Sequence, residues 1–257
     1  MKKLAIGLLV ILLLVTIVLW QAPARLATRA LAQGSAGDVN LIAPQGTLWN
    51  GAGQLLVNGE LIGDVAWQFA PSRLLALEAA VHWQVRHSGY DLEGLAALDL
   101  IGAKRTLNMR GLAGVIRQSF LRTELARYDI VPAGDLTIDQ LDITDLQLNA
   151  AGNWPQQIHA EGSARWTGGP VNYRLAGSDF SISMPPVLAQ ITTLTNEWPK
   201  LEVTEQATGA LLMTGRLTPT GSAAIGVTRG LTRLTGQPWP GSEPDHAVVL
   251  EVEEQLI

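Results

Sequence analysis

Apolar residues are distributed along this chain in two different ways. Leu4 to Ala24 forms one uncharged, mostly apolar run, preceded by Lys2 and Lys3. Beyond it, apolar and polar residues alternate in short stretches. The run matches the roughly 20 residues that a helix needs to cross the hydrocarbon of a bilayer. Leu4 and Leu12 fall within it, and Trp20 near its far end suits an interfacial aromatic anchor. A cleaved secretory signal is the alternative, since Ala22-Pro23-Ala24 and Ala30-Leu31-Ala32 have small-x-small spacing. Signal cores run about 7–15 residues. The greater length here favours an uncleaved anchor.

The later stretches read as strands. In Ala79–His87 the odd positions are apolar through Val85, and the even ones from His82 are polar. Ile158–Trp166 carries apolar or small residues at its even positions. Val171, Tyr173 and Leu175 alternate with polar neighbours, as do Phe180, Ile182 and Met184, and then Val248, Leu250 and Val252 with Val249 and Glu251 between them. Period-two patterns of this kind predict half-buried antiparallel strands. Asn58-Gly59 between Gln54–Val57 and Glu60–Ile62 predicts a hairpin, because both turn residues must take positive φ. Gly134-Asp135, Gly168-Gly169-Pro170 and Pro219-Thr220-Gly221 mark further reversals. Short helices are expected at Pro71–Glu78, Gln118–Tyr128 and Pro186–Thr193. The expected fold is mainly β: an N-terminal transmembrane helix, then an elongated, twisted antiparallel sheet, open or a partial barrel, with a few short helices.

Charge narrows the function. The chain has 18 basic and 23 acidic residues; two of the basic ones, Lys2 and Lys3, precede the apolar run, which leaves 16 against 23 and a net charge of −7 beyond it. No Lys/Arg cluster occurs there, so neither a phosphate-neutralising stripe nor a polybasic lipid patch is available. Nucleic acid is excluded as a partner. Lys2 and Lys3 are nearly balanced by Arg25 and Arg29 on the other side of the run, so charge alone sets orientation weakly. The absence of cysteine rules out disulfides and thiolate chemistry. The expected layout is residues 1–3 in the cytoplasm, an anchor over 4–24, a juxtamembrane segment over 25–44, and a β-rich domain over 45–257 in the periplasm of a bacterium.

Candidate chemistry is sparse. His82, His87, His159 and His246 form no metal-ligand pair, and no HExxH occurs. His82 and His159 fall on the polar phase of predicted strands. Asp135, Asp139, Asp142 and Asp145 form an acidic series within Asp135–Leu148, whose apolar residues fit short strands with slipped phase. The series lacks a calcium-loop pattern and is expected to be a solvated sheet edge. No nucleophile elbow, phosphate loop or dinucleotide fingerprint is present, so no enzyme, cofactor or metal is assigned. Tryptophan is unusual: eight, against three Phe and three Tyr. Trp49, Trp67 and Trp83 recur 18 and 16 residues apart and are expected to pack as rings on one sheet face or to line an apolar groove.

Two blocks carry a resemblance. Gly46-Thr47-Leu48-Trp49-Asn50-Gly51-Ala52-Gly53, and then Gly63, Trp67, Pro71, Leu74 and Leu75 at their spacing, resemble the general secretion pathway protein N family of the bacterial type II secretion system. Pro132–Ile138 and Gly215–Ala223 are similar to it as well. The resemblance implies a single-pass inner-membrane protein with a periplasmic domain, serving as an accessory or assembly component. It also implies contact with the secretin and inner-membrane platform subunits. The motif residues are structural, with Gly46 and Gly51 permitting tight turns and Trp49 packing at the first corner. A weaker resemblance in layout, to AsmA-like inner-membrane proteins, implies lipid handling in an apolar trough lined by the tryptophans. A hydrolase stands last, for want of any triad or metal spacing.

Overall fold

The computed structural model describes residues 21–35, 37–101, 106–147, 157–175, 177–195 and 197–255. The expected anchor, with Leu4, Leu12 and Trp20, lies outside the described residues, except for Gln21–Ala24 at its end. Among the described residues, no helix is long and apolar enough to cross a membrane.

Alternation and turn chemistry produce an antiparallel meander. Its strands are β1 (Val39–Gly46), β2 (Asn50–Val57), β3 (Glu60–Phe69), β4 (Glu78–His87), β5 (Tyr90–Asp99) and β6 (Thr106–Ile116). After an excursion through α1 (Gln118–Leu125) and β7 (Ile130–Pro132) come β8 (Leu136–Gln147) and β9 (His159–Trp166). A hairpin of β10 (Gly169–Leu175) and β11 (Ser178–Met184) then precedes β12 (Val187–Thr192), β13 (Lys200–Glu205), β14 (Leu211–Leu217) and β15 (Ser222–Thr228). β16 (Val248–Gln255) closes the order. Thirteen of these strands pair in the order β1-β2-β3-β4-β5-β6-β8-β9-β12-β13-β14-β15-β16. The remaining three form a small sheet, β11-β10-β7. The large sheet is open, with β1 and β16 as its edges.

Local chemistry explains the boundaries. Asn58 and Gly59 take φ of 52° and 82°, as a two-residue hairpin of this kind requires. Pro71 opens a 3-10 helix, Pro71–Ala76, that ends on Leu77 at φ 59°. α1 starts where Asp135 Oδ1 accepts from the Gln118 N–H at 2.8 Å, and a second 3-10 turn, Ala126–Tyr128, follows it. Two further helices were not expected: α2 (Arg25–Gly34), which packs on β1, and α3 (Arg229–Leu234), which Thr228 caps by accepting from the Leu231 N–H. The folded part thus reaches back into the segment expected to be a juxtamembrane linker.

Two expectations are corrected. Pro186–Thr193 is not helical; Val187–Thr192 is β12, an interior strand between β9 and β13. The acidic series is not a sheet edge, because β8 lies between β6 and β9. Asp135, Asp139 and Asp142 use their carboxylates locally, and Asp145 its backbone. Asp139 pairs with Arg165 across to β9, and Asp142 accepts from the Gly111 N–H. Asp145 takes φ 62° and donates its N–H to Asn108 Oδ1 at 3.1 Å. Register slips between β6 and β8 accompany this, at Leu107/Met109, Met109/Leu112 and Leu112/Gly114.

Candidate functional site

Strands β2–β5 carry a row of residues in direct register: Gly51 of β2, Trp67 of β3, Trp83 of β4 and Gly94 of β5. The outer glycines make room for the inner rings. A Cβ on Gly51 would lie 2.5 Å from the Trp67 ring, and one on Gly94 would lie 3.1 Å from that of Trp83. Each indole therefore folds outward over a bare backbone. Trp67 Nε1 then donates to the Leu48 carbonyl at 3.1 Å, which satisfies the one polar atom of a ring packed among apolar neighbours.

This face holds the main core. Leu41, Val65, Val85 and Tyr90 are buried together, with Leu55, Ile62, Trp67, Trp83, Leu92, Ile116 and Phe120 packed around them. Tyr90 and Phe120 meet edge to face at 4.9 Å, which brings α1 onto the sheet. Tyr90 Oη donates to the Ile62 carbonyl, and burial raises its pKa. Ile62 sits at a bulge where the β2–β3 register slips, and Gly63 there takes φ +148°. A Cβ on Gly63 would lie 2.4 Å from the Arg86 carbonyl oxygen.

The motif corner lies at one end of the row. Gly46 turns the chain at φ +84°. Thr47 Oγ1 accepts from the Asn50 N–H at 3.0 Å, and the Thr47 N–H donates to the Asn50 carbonyl at 2.8 Å. Trp49 meets Phe69 edge to face at 4.9 Å. Gly51 lies in β2 and serves the Trp67 ring rather than the turn. Gln21–Ala24 dock on this corner: the Leu48 N–H donates to the Ala22 carbonyl at 2.8 Å, Pro23 bridges to Thr47, and Ala22 and Ala24 are buried. Thus Gly46, Thr47, Leu48, Trp49, Gly51 and Trp67 come together. Gly63 lies toward the opposite end of β3. Pro71, Leu74 and Leu75 form the 3-10 turn that follows Phe69, and both leucines are exposed.

On the opposite face of the same strands is an open groove of about 660 Å³. Asn50, Gln68, His82, Gln84, Glu93 and Arg110 line it together with Ala66, Leu95 and parts of Trp67 and Trp83, two residues that also pack against the core. A smaller groove beside it, about 490 Å³, includes Gln54, Asp64 and Arg86. Both linings are mixed, polar side chains standing among apolar ones such as Leu95 in the larger groove and Val65 in the smaller. At the groove's end, Arg110 makes two 3.0 Å hydrogen bonds to Glu78. It crosses the row of Ala80 and Ala97, both 0% exposed, to reach it. Arg73 also pairs with Glu78, at 3.1 Å. Arg110's hydrogen bonds outweigh the cost of burial, and with the charges of Arg110 and Arg73 they hold the Glu78 carboxyl below its usual range. A carboxylate so pinned is a structural strut, not a proton carrier. Among the described residues no group of His, Asp or Glu is placed to hold a metal ion.

The family model described as type II secretion system (T2SS), protein N, matches residues 37–238. The chain belongs to that family. Comparison with curated proteins and with solved structures returned no match. In this protein N chain the match starts just ahead of β1 and ends beyond α3, so it includes the corner, the Gly-Trp-Trp-Gly row and both grooves. The residues that sequence reasoning missed are Gly94, Tyr90 and the Glu78–Arg110 pair. The signal for Gly94 was present: a two-residue turn at Ser88-Gly89 places Trp83 opposite Gly94.

Proposed function

We propose that this type II secretion component is a non-enzymatic accessory or assembly factor, held in the bacterial inner membrane by the Leu4–Trp20 run, with its β-domain in the periplasm. Its partners on this reading are the secretin and the inner-membrane platform subunits. Family membership over residues 37–238 carries the proposal. The architecture supports it. β16 pairs only with β15 and turns its other row of backbone N–H and C=O groups outward, where a partner strand can add. Val248, Leu250 and Val252 stand exposed along it. β1, the other edge, has α2 packed against it. An edge open along the whole of β16 is a surface on which another strand can pair.

The test is photo-crosslinking in the native host, with probes at Leu250 and Val252 and, as a control, at Asn58. Adducts at the edge to the secretin or a platform subunit are expected. Adducts to phospholipid alone, or none that differ from Asn58, would overturn the partner assignment.

A further inference from the structure

In an antiparallel meander, alternate turns share an end. The β1–β2 turn, the β3–β4 connection and the β5–β6 connection therefore lie together, and the hydrogen bond from the Leu100 N–H to the Leu77 carbonyl, 2.9 Å, joins the second to the third. This end is apolar. Leu74, Leu77 and Leu100 are about half exposed, Ile101 is 69% exposed and Leu75 is 90% exposed. Five large aliphatic side chains on adjacent connections are unusual on a surface facing only water. Beneath them Arg73 and Arg110 share Glu78, and Lys104 and Arg105 follow Ile101 in the sequence, basic residues that suit an anionic headgroup layer. At the opposite end the Asn58-Gly59 and Ser88-Gly89 turns carry no large apolar side chain, and the exposed ones there, Leu61, Tyr128 and Ile130, are fewer.

The same end receives the N-terminal segment. Ala22 and Pro23 are held on Leu48 and Thr47, at the β1–β2 turn. Gln21 alone separates Trp20, near the far end of the apolar run, from Ala22, and the two steps span at most about 7 Å. The β5–β6 connection lies four strands from that turn, about 19 Å along the sheet. A bilayer that holds the run is therefore held against this end of the sheet. We propose that Leu74, Leu75, Leu77, Leu100 and Ile101 sit in the phospholipid surface, so that the sheet stands on the membrane by its end instead of swinging from a tether. The inference rests on the anchor reading above. Side chains of this kind bury about 5–10 Å into the boundary between headgroups and acyl chains.

Because the chain has no cysteine, single positions can be labelled. Leu75→Cys, Asn58→Cys and Leu12→Cys, each carrying an environment-sensitive fluorophore, are compared in the full chain reconstituted into phosphatidylethanolamine–phosphatidylglycerol vesicles. The expected result is a blue-shifted Leu75 probe, quenched by lipid spin-labelled near the headgroup and shielded from aqueous iodide, with the Asn58 probe showing the reverse. A Leu75 probe as open to iodide as the Asn58 probe overturns the inference. The Leu12 probe then separates the two failures. If it is quenched by lipid, the anchor stands and only the seating of the end falls; if it is open to iodide, the anchor falls as well.

Discussion

The two halves of the large sheet are held by different means. In β1–β6 the main cluster interlocks through large side chains, with Leu41, Val65, Val85 and Tyr90 buried against the Trp67 and Trp83 rings; a second, smaller cluster is Ala70, Ala80 and Ala97, packed against Leu95. In β12–β16 most buried positions are small or hydroxylic, among them Ser222, Ala224 and Thr228; Leu212 of β14 is the large one, with Leu231 of α3 beside it. Thr228, 0% exposed, donates to the Leu211 and Leu212 carbonyls and accepts from the Leu231 N–H. Ser222 joins Thr218 and Glu253 in a hydroxyl–carboxylate chain. Burial scales with apolar area, whereas a hydrogen bond returns about 1 kcal/mol net. The first half should therefore be the stiffer one, and the second should be set in shape by its polar links while opening more readily.

Substitutions can break that contrast. The largest loss is expected for Gly63→Val, which puts a β-branched side chain at φ +148° and against the Arg86 carbonyl: about 4 kcal/mol, read by thermal unfolding in mild detergent. Trp67→Ala removes the half-buried ring that ties Leu48 to β3 and should cost about 3 kcal/mol. In both, hydrogen exchange should quicken across β2–β5 and leave β13–β15 unchanged. Thr228→Val, close in shape but without the hydroxyl, should cost about 2 kcal/mol and loosen β14, β15 and α3 alone. If it loosened β3–β5 equally, the halves would be one cooperative unit and the contrast would fail.

The smallest effect depends on pH. Glu78 has a folded pKa below its unfolded value, which is about 4.3. Its stabilisation is complete above that unfolded value and disappears as pH falls through the lower folded one. Arg165 holds Asp139 low in the same way, at the β8–β9 boundary. Melting temperature should therefore fall below about pH 4. Glu78→Gln should start lower and show a shallower acid slope. An unchanged slope would mean the Arg110 pair contributes nothing in solution.

Much of the β architecture was legible because it is local. Asn58-Gly59, Pro71 and the alternation in Ala79–His87 each act through the residue's own backbone or its immediate neighbours. Register was harder to read. Counting back from Asn58-Gly59 without a bulge would put Gly51 opposite Ala66; the slip at Gly63 is what sets it opposite Trp67. The misassigned β12 shows the same limit from another side. Pro185 and Pro186 look like the start of a helix, but β9 and β13 flank the segment and claim its backbone groups. Likewise, Asp139 and Asp142, spaced for solvent, proved to be in the middle of the sheet, where Arg165 and the Gly111 N–H satisfy them. The small sheet was out of reach for sequence reasoning, since β7 pairs with β10 across the whole of β8 and β9.

The strand order also bears on how the chain reaches its fold. From β1 to β6 every strand pairs with the one made just before it, so contact order is low and each hairpin can close as it emerges, N-terminus first, from a ribosome or a membrane pore. β7 breaks that rule: it must wait, unpaired, until β10 arrives. β8 and β9 can extend the large sheet from β6 meanwhile, so the small sheet is expected to close last in the middle of the chain, once β10 has been made.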